Sequence, residues 1–435
     1  MTYRVRALFS ACAVAALATA AAAETITVAT VNNGDMIRMQ GLMAEFNAKH
    51  PDITVEWVTL EENVLRQKVT TDIATKGGQF DVLTIGTYEV PIWGKQGWLV
   101  SLNDLPAEWD AADLLPAIAG GLTVDGNLYA APFYGESSMV MYRTDLMEKA
   151  GLTMPEAPTW ADIKAAAAAM TDKEGEIYGV CLRGKAGWGE NMAFLTAMSN
   201  SFGAKWFDES WNPQFDGEAW KATLTFYLDL MTNYGPPGAS NNGFNENLAL
   251  FNQGKCGMWI DATVAASFVT GKESTVADKV GFALAPDNGL GKRGNWLWAW
   301  SLAIPAGSAK TEAAKTFVAW ATSKEYAELV ASKEGWANVP PGTRTSLYAN
   351  PEYQKVPFAK MTLDSINSAD PTHPTVDPVP YVGVQFVAIP EFQGIATSVG
   401  QQFSAALAGT TSMEDALAAA QELTKTEMTK AGYIK

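Results

Sequence analysis

The sequence predicts an α/β protein built in two lobes, and three observations carry that prediction. Short β-branched apolar runs alternate with runs of helical periodicity. The chain, at 435 residues, exceeds the ~250–300 residues at which single hydrophobic cores stop growing. No low-complexity linker divides it, so the backbone is expected to pass between lobes more than once. That arrangement makes a hinge and leaves a cleft, the default place for a ligand.

The elements follow in order. Arg4 and Arg6 precede an apolar run ending at Leu17, and Ala21, Ala22 and Ala23 offer small residues for cleavage. This is the layout of a secretory leader, residues 1–23, which would place the mature chain in the periplasm. A lipoprotein site at Cys12 fits less well, because only five residues separate it from Arg6. No later apolar stretch approaches the ~18 residues of a membrane span. Thr25 to Thr30 reads as a β-branched strand, Asn32 to Asp35 as a turn, and Met39, Leu42, Met43 and Phe46 mark a helix that stops at His50-Pro51. Ile53 to Val58 resumes as strand, completing a β-α-β unit. A helix over Val64 to Ala74, a break at Gly77-Gly78 and a short strand from Asp81 to Ile85 repeat the alternation. Thr159 with Asp162 predicts a capping box opening a helix that runs to Met170. Tyr234 to Gly238 and Pro371 to Pro380 read as loops. Gly289 to Gly294 matches GxGxxG, but a Trp-rich strand follows where a dinucleotide site needs a helix, so it reads as a surface loop.

Charge and composition narrow the chemistry. The formal net charge is −16, and loss of Arg4 and Arg6 with a leader that contains no acid takes it to −18. Such a chain repels nucleic acid and anionic lipid, and a neutral ligand suits it better than an anionic one. Cys181 and Cys256 follow the leader; an oxidising compartment permits a disulfide, but spacing alone does not show proximity. His50 and His373 are the two histidines, and there is no GxSxG elbow or HExxH motif, so nucleophilic and zinc chemistries lack parts. No cofactor is expected. An exported glycoside hydrolase using paired carboxylates such as Glu136 and Asp261 is the competing class.

Several segments together resemble the extracellular sugar-binding proteins of ABC importers, the family that includes maltodextrin-binding proteins. They are Phe46 to Val55, Phe80-Asp81-Val82 with Gly97 to Leu102, Tyr129 to Glu136, Val140 to Leu146, Ala150-Gly151-Leu152, Pro158-Thr159-Trp160, Phe251 to Met258 and Trp300 to Pro305. Within that family the details look most like the sorbitol- and mannitol-binding proteins. The resemblance implies a periplasmic-binding-protein-like fold, each lobe a mixed, mostly parallel sheet flanked by helices. It implies a hinge crossed three times, near Ala131, Trp296 and Pro340, giving lobe 1 residues 24–131 and 297–339 and lobe 2 residues 132–296 and 340–435. It further implies binding rather than catalysis, an ABC permease as partner, and a monomer that captures a hexitol or, failing that, another mono- or oligosaccharide.

A polyol presents hydroxyls that both give and accept hydrogen bonds, so its site needs carboxylates, amides and N–H donors around an apolar platform. The resemblance puts a ligand-binding carboxylate at Glu136 and a second-lobe aromatic at Trp188. Trp259 and Asp261, two apart in an extended segment, share a face and read as platform and acceptor. Trp296, Trp298 and Trp300 share another, with Trp298 the chosen contact. On the first lobe Asn33, Tyr88 and Glu89 follow strand ends, where open α/β sheets bind ligands, although family members often carry a charge where Tyr88 stands. Asn338 and Arg344 flank the third crossing and complete the expected set.

Overall fold

The computed structural model describes residues 23–435; the expected leader, apart from Ala23, lies outside them. Ten strands are assigned: β1 Glu24–Val31, β2 Ile53–Leu60, β3 Val82–Ile85, β4 Thr123–Val124, β5 Asn127–Leu128, β6 Ala131–Glu136, β7 Ser138–Arg143, β8 Met258–Ala262, β9 Val280–Leu284 and β10 Trp298–Ala303. They form a five-stranded sheet in the order β2-β1-β3-β10-β6, a three-stranded sheet in the order β8-β7-β9, and the β4-β5 hairpin. Two sheets with separate helical covers make the two lobes that the sequence predicts.

The first lobe begins with the expected β-α-β unit. β1 and β2 run parallel in continuous register from Glu24 opposite Ile53 to Val31 opposite Leu60. The intervening segment forms two helices, Gly34–Gly41 and Met43–Lys49, and the Asn33 side chain caps the first by accepting from the Met36 amide at 3.3 Å. Helix Glu62–Thr75 covers the sheet next, with Leu65, Val69 and Ile73 buried along one face. Phe46 packs against Phe317 and Trp320 of helix Thr311–Ala321 at 5.6 and 5.2 Å between ring centroids, which closes the core on that side. β6 lies at the sheet edge, where Pro132, which has no amide proton, is tolerated.

The expectation of mostly parallel sheets needs correction. β3 pairs parallel with β1, but β10 runs antiparallel to both β3 and β6. β7 runs antiparallel to both β8 and β9. The reason is the route of the chain: a strand that re-enters the first sheet from the second lobe arrives from the opposite end. The first passage falls a few residues later than expected. β6 stays in the first sheet through Glu136, beyond Ala131, and β7 joins the second at Ser138. The third passage lies against β6, where the Gly135 amide donates to Pro341 O at 2.9 Å. There Gly342 has φ +71, and a Cβ on it would lie 1.9 Å from Gly135 O, so only glycine allows the two backbones to touch.

The second lobe packs helices Asn191–Ser201, Glu218–Tyr234, Phe392–Leu407 and Met413–Lys430 around an aromatic core that includes Trp206, Phe215, Trp220 and Phe403. The Thr159–Asp162 capping box forms as predicted at helix Trp160–Met170. The GxGxxG segment is a loop, with Leu290 exposed. Cys181 and Cys256 form a disulfide with Cα atoms 5.9 Å apart. Among the described residues no helix is long and apolar enough to cross a membrane.

Candidate functional site

The ends of β1, β6 and β10 and the start of helix Glu62–Thr75 face the second-lobe segment from Arg183 to Glu190. Between them lie two adjoining hollows, which share Glu62, Glu136, Arg183 and Trp300. The first adds Asn33, Glu61, Tyr134, Lys185, Glu190 and Asn245. The second adds Arg66, Trp188, Trp296, Trp298 and Gln385. Together they form one chamber at the carboxyl end of the first sheet, where strand ends leave backbone and loops free to meet a ligand.

The chamber's charges are paired with one another. The disulfide and the parallel bridges Tyr178 to Cys256 and Cys181 to Trp259 hold residues 178–183 alongside β8, which sets Arg183 beside Asp261. Arg183 Nη2 donates to Asp261 Oδ1 at 2.7 Å, Nε to Asp261 Oδ2 at 2.9 Å, and Nη1 to Gly189 O at 2.8 Å. Its Nη1 also lies 3.4 Å from Glu190 Oε2. Arg66 gives Nη1 to Glu89 Oε1 at 2.9 Å and Nη2 to Glu62 Oε1 at 2.8 Å, and Lys185 Nζ reaches Glu61 Oε1 at 2.6 Å. Removing such a charge from water costs several kcal/mol unless it is paired and hydrogen-bonded, and here each cation has an acid.

Burial raises the pKa of two carboxyls. Desolvation raises Glu136 well above the ordinary carboxylate value, against the pull of Arg183 and with the help of Asp261 and Glu62. Desolvation likewise pushes Glu190 up to about 8 despite Arg183. Three buried polar atoms on the second hollow have no partner: Glu136 Oε2, Trp188 Nε1 and Trp298 Nε1. An unsatisfied buried polar atom costs ~1–3 kcal/mol, so a wall carrying three of them is built to be completed by something else. Indole N–H groups need acceptors, and a carboxyl can accept or donate. A hydroxyl-rich neutral molecule supplies both.

Of the ten residues expected at the site, Asn33, Glu136, Trp188 and Trp298 line the chamber. The structure places the other six elsewhere. Trp259 is fully buried, packs on Phe244 at 5.3 Å and donates Nε1 to Asp261 Oδ2 at 3.0 Å; its face turns into the second-lobe core, so the platform role passes to other residues. Asp261 is committed to Arg183, Trp259 and the Ala262 amide and acts on the chamber through Arg183. Glu89 is committed to Arg66 and to the Gly86 amide. Tyr88 Oη donates to Ile389 O at 3.0 Å and accepts from the Gln393 amide at 3.2 Å, facing an outer groove. Asn338 binds Arg38 and Glu334 O. Arg344 donates to Asp110 O and Thr322 O, each at 3.0 Å, and braces the first lobe away from the cleft.

Sequence reasoning missed Glu62, Arg66, Tyr134, Arg183, Lys185 and Glu190, and passed over Trp300 in favour of Trp298 on the same face. One signal for Arg66 became usable only with the true helix start, because Glu62 stands one helical turn before it on helix Glu62–Thr75. Another was present for Arg183, two residues past Cys181, since a Cys181–Cys256 bridge brings it beside Asp261.

Comparison with known proteins fits this geometry. A family model described as bacterial extracellular solute-binding protein matches residues 33–328. A mannitol-binding protein of Pseudomonas aeruginosa is 56% identical over 436 aligned residues, covering 100% of each chain. The crystal structure of an ABC transporter solute-binding protein from Agrobacterium vitis S4 with bound D-mannitol superposes with a TM-score of 0.94 at 76% identity, covering 95% of this chain and all of that one. A solute-binding protein from Agrobacterium radiobacter K84 in complex with ribitol gives 0.81 at 26% identity, over 93% and 99% of the two chains.

Proposed function

Since the chain belongs to the bacterial extracellular solute-binding protein family, we propose that it captures a hexitol of the mannitol or sorbitol type in the cleft and delivers it to the permease of an ABC importer. The observation that carries this reading is the wall of unpartnered polar atoms formed by Glu136, Trp188 and Trp298, beside charges already paired among themselves. Such a chamber has no free cation for an anionic ligand, and it offers N–H and carboxyl groups for hydroxyls. The relatives that bind D-mannitol support the same ligand class.

Capture proceeds by closure, with lobe 1 on the five-stranded sheet, lobe 2 on the three-stranded sheet, and passages after Glu136, before Trp298 and at Pro340 to Gly342. The chain works in the periplasm after loss of its leader, as a monomer, and binds without turning its ligand over. A hydrolase would need two free carboxylates, and Asp261 is taken up by Arg183.

A melting screen across mannitol, sorbitol, ribitol, maltose and gluconate tests the reading, since a ligand at 100 times its Kd stabilises the protein by ~2.7 kcal/mol. The hexitols are expected to raise the midpoint and gluconate to leave it unchanged. A shift with maltose alone overturns the ligand class. Glu136→Ala is expected to weaken hexitol binding about tenfold, because leaving a buried hydroxyl without its partner costs ~1–3 kcal/mol.

A further inference from the structure

Trp188 stands on the second-lobe loop Gly187–Trp188–Gly189, ahead of helix Asn191–Ser201. Its ring packs on Tyr88 at 4.8 Å between centroids, and the Arg66 guanidinium lies 4.0 Å from its ring centre. Trp298 meets it edge-on at 5.7 Å. Tyr88, Arg66 and Trp298 belong to the first lobe. Glu89 fixes this arrangement from the same lobe, holding Arg66 with one carboxylate oxygen and the Gly86 amide with the other, both at 2.9 Å.

The Tyr88 hydroxyl reaches the other way across the cleft, to Ile389 O and the Gln393 amide, at the start of helix Phe392–Leu407. Neither Tyr88 nor Glu89 lines the chamber. The approach of the loop is close: a Cβ on Gly187 would lie 2.4 Å from Asn63 Oδ1, and Asn63 Nδ2 itself donates to Ala186 O at 3.2 Å.

Resting on the closure reading above, we propose that Tyr88, Glu89 and Arg66 form a socket that receives Trp188 when the lobes meet, and that Tyr88 is a positioning residue for ligand retention. Every contact made only between closed lobes adds to the closed population and to nothing else. Ligand leaves through the open form, so these contacts act on the dissociation rate, while association depends on the open cleft. A bulky first-lobe aromatic with one hydroxyl therefore tunes affinity from outside the ligand's reach.

Stopped-flow binding of D-mannitol to the full mature chain tests this with Tyr88→Phe and Gly187→Ala, alongside melting without ligand. Tyr88→Phe is expected to raise the dissociation rate roughly fivefold with the association rate unchanged. Gly187→Ala is expected to weaken affinity by roughly tenfold. Both variants should melt like wild type without ligand, because the socket is then unfilled. An unchanged dissociation rate in Tyr88→Phe overturns the proposal while wild-type binding leaves the functional reading standing. A ligand-free midpoint that falls in step with affinity also overturns it, by making Tyr88 a fold residue. Wild-type protein that binds no hexitol takes the socket down together with the functional reading.

Discussion

Glu190 carries a carboxyl that burial pushes up to about 8, between Arg183 and Lys185. The folded protein thus keeps a proton that the unfolded chain releases near 4.5. Stability from this group is full below that ordinary value and is lost as pH rises through about 8. Glu190→Gln removes the titration, so urea unfolding of the variant should lose less stability than wild type between about pH 5 and about 8, by up to ~1 kcal/mol per pH unit. Parallel pH profiles would remove Glu190 from this account. At the same scale, Asn33 was legible from its strand end, while Glu136, Trp188 and, through the expected crossings, Trp298 came from the family resemblance. Arg66 and Arg183 were not, because a buried cation is placed by partners distant in the chain: Glu89 for the first, Asp261 for the second. Trp259 and Asp261 failed differently. Alternation correctly put them on one face of β8 but says nothing of whether that face meets a cleft or a core.

At the scale of elements, the β-α-β start, the helix over Val64 to Ala74 and the Thr159 cap could be read from periodicity and capping chemistry. Strand direction could not, since it depends on how often the chain changes lobes. The disulfide lies between these cases, with the cysteines visible and their pairing hidden. It links two neighbouring segments 75 residues apart in sequence and so aligns Arg183 with Asp261. In the chain-entropy model such a loop contributes ~4–5 kcal/mol. Replacing both cysteines by serine is expected to lower unfolding free energy by roughly 2–5 kcal/mol and to weaken hexitol binding beyond that of a merely less stable protein. Calorimetric titration well below the melting point separates the two effects, and full affinity there would show that β8 holds Arg183 without the bridge.

For the whole molecule, two lobes on separate sheets that touch across a cleft imply that ligand changes shape as well as stability. Small-angle scattering should show the radius of gyration fall when mannitol is added, and an unchanged profile across all hexitols would remove closure from the mechanism.

The contact of Gly135 with Gly342 has a mechanical side. Two backbones crossing without side chains have no knobs to disengage when they rotate, so this axis offers little resistance to turning. A hinge of this kind would leave the holding time of a ligand to contacts made elsewhere between the lobes, such as those of Trp188 with Tyr88 and Arg66.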